Sequence, residues 1–200
     1  MKVELLQITP DIEKHVEFCG RNCYQSFDNI KEESHKTFIK GIIMSGHTSV
    51  LEHGFASFFI KDVSRALMGQ ITRHRLSSFC IKSQRYVNEE NFNYVTPPSI
   101  LESGENSIVL QEYVNLMDQA KETYEFLVNS GVKKEDARMV LPNATTTDIV
   151  MSANMREWRH IFNLRLHKSA QWEIREICNQ ILAILIEKAP TIFYDFSESK

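Results

Sequence analysis

Strand-like sequence is confined to three short stretches set far apart in the chain. Met1–Ile8 alternates apolar and polar residues, His53–Asp62 is aromatic-rich and partly alternating, and Thr145–Met151 is rich in threonine and β-branched residues. The intervening sequence carries helical signals. Thr9-Pro10-Asp11 marks a helix start, with proline at the first helical position, and predicts a helix to about Tyr24. A second runs from about Glu33 to Met44 and stops at Ser45-Gly46. Ser64 caps a third that runs through Arg73. Residues 87–105, with Pro97-Pro98 and Gly104, predict a surface loop. Helices follow at Asn106–Ser130, ended by Gly131, and at Lys133–Leu141, stopped by Pro142. Two more span Asn154–Leu166 and Ser169–Lys188, with Pro190 closing the second. This order does not repeat as strand-helix-strand units, which argues against a doubly wound sheet. It predicts an α+β fold: one helix-rich domain over residues 1–200 with a small, mostly antiparallel sheet.

Bulk properties narrow the partners. The chain has 200 residues and a net charge of −3, unlike the basic balance of general nucleic-acid binders. Met1–Pro10 holds one lysine and no long apolar run, and no stretch reaches the roughly 18 apolar residues of a membrane span, so a soluble, cytoplasmic protein is expected. Cys19, Cys23, Cys80 and Cys178 form no CxxC pair, which predicts free thiols and no zinc site. His47, Glu52 and His53 are metal-ligand types. Neighbouring residues on a strand face opposite ways, so no metal is expected there either.

Charge is distributed unevenly. From Val63 to Asn88 there is no acidic residue, while Arg65, Arg73, Arg75, Lys82 and Arg85 are all present. Arginine's planar fork matches phosphate and carboxylate in two-point contacts, and His74, Ser77, Ser78, Ser83 and Gln84 add short neutral hydrogen-bonding groups. A solvated basic face is the alternative. Were the third helix to end near Arg75, Arg73, His74 and Arg75 would point in three directions about 100° apart. Such an arrangement suits a site shared between subunits. A second island spans Asn154–Glu176. Arg156, His160 and Asn163 share one helical stripe, whereas Arg165 falls on the stripe of Trp158, Ile161 and Phe162. An arginine on an apolar face needs a partner, either an internal one such as Glu173 or Glu176 or a ligand on a second face of the helix.

At these residues the sequence resembles the flavin-dependent thymidylate synthases. Their signature RHR-x2-S-x4-S-x-R-Y is met at every fixed position by Arg73-His74-Arg75, Ser78, Ser83, Arg85 and Tyr86. His47 to His53, with Ser49 and Glu52, resembles the family's segment ahead of the signature, and Gln70 stands three residues before it. Arg138 before Leu141-Pro142 and the Asn154, Arg156, His160, Arg165 series resemble its later elements. The resemblance implies reductive methylation of dUMP to dTMP in a homotetramer with shared active sites. Methylenetetrahydrofolate is the implied carbon donor, FAD the hydride carrier and NADPH the reductant. Ser49, Arg73, His74, Arg75, Asn154, Arg156 and His160 are then implied to hold FAD. Gln70, Arg73, Ser83, Gln84, Arg85, Arg138 and Arg165 are implied to hold dUMP, on the opposite stripe of the 154–166 helix. Arg165 is the implied catalytic group, favouring ionisation of the uracil ring without any cysteine nucleophile. Cys80-Ile81-Lys82 departs from the family, many of whose members carry a polar run there, so Ile81 offers only backbone contacts.

Overall fold

All three predicted strands form, and a fourth joins them. The computed structural model describes residues 1–197. Strand β1 (Lys2–Ile8) leads to helices α1 (Ile12–Asn22) and α2 (Ser34–Met44), with 3-10 turns at Phe27–Asn29 and Thr48–His53. Strand β2 (Phe55–Ser64), helix α3 (Arg65–Ile71) and strand β3 (Ser78–Ile81) follow. Helices α4 (Pro98–Leu101), α5 (Ile108–Asn129) and α6 (Lys134–Ala137), with a 3-10 turn over Arg138–Val140, lead to strand β4 (Thr146–Asn154). Helices α7 (Met155–Arg165), α8 (Trp172–Lys188) and α9 (Tyr194–Ser197) end the described chain. The strands form one antiparallel sheet in the order β1-β2-β4-β3. Its register is marked by the hydroxyls of Ser57 and Ser152, 2.7 Å apart on β2 and β4.

The chain divides into two compact units. One comprises Met1, Lys61–Ile71 and Cys80–Ile149; the other comprises Lys2–Ile60, Thr72–Phe79 and the chain from Val150 onward. In the first unit, Phe92, Met117 and Ala120 are buried, with Tyr94, Tyr113, Leu141 and Ala144 packed against them. Residues 87–105 therefore depart from the predicted surface loop. Phe92 and Glu89 are buried, Tyr94 forms a β-bridge with Thr145, and α4 lies within the segment. Gly131 closes α5 at φ +86°, the left-handed conformation expected of a helix-ending glycine.

In the second unit the apolar face of α7 anchors the core. Trp158 is fully buried, its ring edge-on to Phe58 at 5.3 Å, and its Nε1 donates to the Ala56 carbonyl at 3.3 Å. Phe162 stacks on Trp158 at 6.0 Å and meets Phe193 edge-on at 5.7 Å. Helix α8 contributes Ile174, Ile177, Cys178, Ile181 and Leu185, all buried at helical spacing. Gly54 stands where a Cβ would lie 2.9 Å from Ile12, and its carbonyl accepts from Met155 N at 2.8 Å. That close approach ties the Thr48–His53 turn to the start of α7.

Three boundaries differ from expectation. Pro10 lies two residues ahead of α1, and Asp11 adopts a left-handed φ of 45° without capping the helix through its side chain. His53 belongs to the 3-10 turn rather than to a strand, which removes the strand argument used against metal binding by Glu52 and His53. Among the described residues no cluster of three or more His, Cys, Asp or Glu could hold a metal ion. Ser64 caps α3 as predicted, its Oγ accepting from Leu67 N at 3.0 Å, but the helix stops at Ile71. Arg73, His74 and Arg75 consequently sit in a turn, with Ser77 N donating to the His74 carbonyl at 3.1 Å. Removing the aromatic anchor by Phe162→Ala should lower stability by about 3 to 5 kcal/mol, read as a shift in the urea unfolding midpoint.

Candidate active site

Helix α7 starts where Asn154 ends β4. The Asn154 Oδ1 accepts from Glu157 N at 2.8 Å, an N-cap bond that satisfies one otherwise unpaired helical donor. With Trp158, Ile161 and Phe162 buried, helical spacing leaves Arg156, His160 and Leu164 exposed. The turn after α3 supplies Arg73, His74, Arg75 and Leu76. Together these groups line a cavity of about 830 Å³, within the range of small-molecule sites, and Glu52, Asn154, Glu157 and Arg165 complete its wall.

The charge pattern is strongly cationic. Arg73, Arg75, Arg156 and Arg165 face only two carboxylates along the wall, Glu52 and Glu157. Glu52 forms an ion pair with Arg156, and both side chains are about half exposed. Arg165 is half-buried, and its Nε donates to His74 Nε2 at 3.0 Å. The opposite ring nitrogen of His74, Nδ1, lies 3.6 Å from Glu157 Oε1, and both side chains are almost fully buried. The His160 ring stands edge-on to His74, with centroids 6.2 Å apart. Burial, then the Arg165 charge and then His160 push the His74 pKa down to about 4. Burial raises the Glu157 carboxyl, and His160 opposes that shift.

Six of the seven residues predicted for FAD, namely Arg73, His74, Arg75, Asn154, Arg156 and His160, therefore line one cavity. Ser49 is exposed on the Thr48–His53 turn and does not line it, whereas its neighbour Glu52 does. Arg165 lines the same cavity as Arg156 and His160, which corrects the expectation of two separate ligand faces on this helix. A long side chain can leave its own stripe, and here it turns toward His74. Asn163 is exposed and is not part of the wall.

The other predicted nucleotide ligands belong to the first unit. Gln70 Nε2 donates to the Ala66 carbonyl at 3.3 Å within α3, and Ser83 Oγ accepts from Arg85 N at 3.3 Å. Gln84 is buried, and its amide nitrogen has no hydrogen-bond partner among the described residues. Arg85 and Arg138 converge on Glu135: Arg85 Nε donates to its carboxylate at 2.9 Å and Arg138 Nε to its carbonyl at 3.0 Å. Lys82 pairs with buried Glu89 at 3.1 Å. Burial lowers the Arg65 pKa, the Glu89 charge opposes that shift, and Arg138 adds to it. Lys82 and Arg85 thus find counter-charges in residues outside the acid-free segment. The signature's centre is strand β3, on which Cys80 is exposed and Ile81 half-buried.

A family model described as "Thymidylate synthase complementing protein" matches residues 4–191. The chain belongs to this family, the flavin-dependent thymidylate synthases. The flavin-dependent thymidylate synthase of Geobacter sulfurreducens is 40% identical over 203 aligned positions, covering 98% of this chain and 86% of that protein. That of Mycobacteroides abscessus is 36% identical, covering 90% and 78%. The probable flavin-dependent thymidylate synthase of Mycobacterium phage D29 is 39% identical, covering 90% and 81%.

Glu157, Leu76 and Leu164 also line the cavity, though they were not among the expected site residues. The spacing Asn154-x-x-Glu157 is a capping-type signal and marks Glu157 as lying in the first helical turn. The two leucines carry no such signal. Depression of the His74 pKa has a measurable consequence for stability. An unfolded histidine titrates near ~6.5, so between that value and about 4 the unfolded chain binds a proton that the folded chain refuses. The stability contribution is fully present above the upper value and is lost as pH falls toward the lower one. His74→Gln should therefore flatten the pH dependence of urea unfolding in that window; an unchanged slope would assign the titration elsewhere.

Proposed function

We propose that this protein catalyses reductive methylation of dUMP to dTMP in nucleotide biosynthesis, with residues 1–200 acting as one catalytic domain. The observation that carries this reading is the cavity walled by Arg73, His74 and Arg75 of the signature and by Arg156, His160 and Arg165 of α7. FAD is the cofactor, with NADPH and methylenetetrahydrofolate as co-substrates. The donor set fits a flavin dinucleotide: several guanidinium groups suit a pyrophosphate, and exposed Leu76 and Leu164 offer apolar wall to an aromatic ring. Arg73, His74, Arg75, Asn154, Arg156 and His160 would hold it, with Ser49 contributing from the Thr48–His53 turn. When bound, FAD supplies hydride chemistry, linking oxidation of NADPH to reduction of the transferred one-carbon unit.

The chain's own work is to bind, orient and stabilise charge. Gln70, Arg73, Ser83, Gln84, Arg85 and Arg138 would hold dUMP. Arg85 and Arg138 already bracket Glu135, so their forks are directed before any ligand arrives. The guanidinium of Arg165 would stabilise the uracil ring as its N3 proton leaves, which would make the base the nucleophile without a cysteine. Exposed apolar residues Ile108, Val109, Leu116 and Phe126 on α5 support a homotetramer, since faces of this kind mark interaction surfaces. The enzyme would act in the cytoplasm on small molecules rather than nucleic-acid polymers; no helix among the described residues is long and apolar enough to cross a membrane.

The deciding measurement is spectroscopic and chemical. Purified protein should show flavin absorbance, bleach anaerobically with NADPH, and form dTMP only when dUMP and the folate donor are both present. Arg165→Lys should keep the bound flavin while dTMP formation falls by roughly 100- to 1000-fold, the scale on which single charge-stabilising donors act. Colourless protein that does not bind added FAD would overturn the proposal.

A further inference from the structure

Of the two carboxylates in the cavity wall, Glu52 is half exposed and spends its charge on Arg156, whereas Glu157 is buried. A buried carboxylate costs several kcal/mol unless something compensates it. Part of the compensation is its place in the first turn of α7, where backbone N–H groups and the helix dipole favour an anion. A further part comes from His160, which opposes the effect of burial, and the carboxylate also faces the ring of His74. That ring stands between two α7 side chains eight residues apart: Glu157 faces Nδ1 at 3.6 Å and Arg165 faces Nε2 at 3.0 Å.

The direction of the Arg165 bond fixes the proton on the ring. A guanidinium N–H only donates, so Nε2 must be the bare acceptor nitrogen, and the proton of a neutral ring lies on Nδ1. An Nε2–H ring would aim two N–H groups at each other, and an imidazolium would add two like charges at the same distance. Burial and the Arg165 charge, which hold the His74 pKa at about 4, agree with a neutral ring. At 3.6 Å the Glu157 contact is longer than a full hydrogen bond, and an acceptor oxygen at that range, charged or not, still favours a proton on the nitrogen facing it.

We propose that Glu157 is a positioning residue: it holds His74 as the Nδ1–H tautomer, which keeps Nε2 an acceptor and fixes the plane of the Arg165 guanidinium. The consequence for catalysis rests on the reading of Arg165 as the group at the pyrimidine. Arg165 donates through Nε, the atom that joins its planar fork to the stem, so this bond sets the orientation of the whole fork. A neutral partner does so without cancelling the arginine's charge. Neither Glu157 nor His74 needs to touch the reacting atoms for this role.

The test pairs imidazole nitrogen NMR on the ligand-free protein with steady-state kinetics. At neutral pH the His74 ring, identified by its loss in His74→Gln, should show the neutral Nδ1–H pattern. Glu157→Gln keeps an acceptor oxygen and should preserve both that pattern and kcat to within about threefold. Glu157→Leu has no acceptor; it should shift the ring toward Nε2–H and lower kcat by about 10- to 100-fold, the usual cost of losing an orienting partner. The flavin spectrum should persist, and KM for dUMP should change far less than kcat. An imidazolium or Nε2–H ring in the parent protein overturns the proposal, and this result is available even if Glu157→Leu does not fold. Glu157→Gln as impaired as Glu157→Leu overturns it too, because charge rather than tautomer would then matter. The two failures are distinct: a parent that forms no dTMP overturns the function, whereas an active parent with the wrong tautomer overturns only the role of Glu157.

Discussion

Burial of Trp158 is the constraint on which the rest of the cavity depends. Its indole has two anchors, the edge-on contact with Phe58 and the hydrogen bond to the Ala56 carbonyl, so it fixes both the depth and the rotation of α7 against β2. A helix pinned at one residue has its other side chains dictated by the 100° step. With Trp158 inward, Arg156 and His160 are exposed, and Glu157 lies beside the indole at the buried edge of the cavity wall. The α7 side of the site is thus held by packing, which is stiffer than a loop.

The arginines of this wall are held in two different ways. Arg156 meets a carboxylate, so its charge is largely neutralised until an anion displaces Glu52. Arg165 meets an uncharged imidazole, which orients it without itself cancelling the charge. The first arrangement suits binding, where one anion replaces another at little net electrostatic change. The second suits a group that must stabilise charge as it develops, because the favourable field is in place beforehand.

Much of the scaffold was legible in the chain because its signals are local. Ser64 as a cap and Gly131 as a left-handed helix end work within a few residues, and both sit where predicted. Strand β3 was not legible: four residues, Ser78–Ile81, are too few for alternation to show inside a polar motif. The end of α3 was misplaced because nothing in Thr72-Arg73 breaks a helix; the signature turn prevails there over propensity. The basic segment appeared uncompensated because Glu89 lies just beyond it and Glu135 fifty residues after Arg85, in pairs that only folding creates. Nothing in the sequence around Glu157 marks it as buried. Its burial depends on the Trp158 anchor, a tertiary fact. The signature identified the family, but spacing alone could not say that Arg165 would turn back to His74.

Strand β3 also explains what kind of object the signature's central interval is. From Ser78 to Ile81 the chain is extended, advancing about 3.3 Å per residue, and the next residue, Lys82, donates its N–H to the Asp148 carbonyl of β4. The interval is therefore a ruler with a parity. One residue more or fewer within β3 would turn the rest of the strand's side chains to the opposite face and displace the turn that carries Arg85. Chemical identity along that stretch is loosely specified, as Cys80 and Ile81 illustrate, whereas its length has to be counted in whole steps.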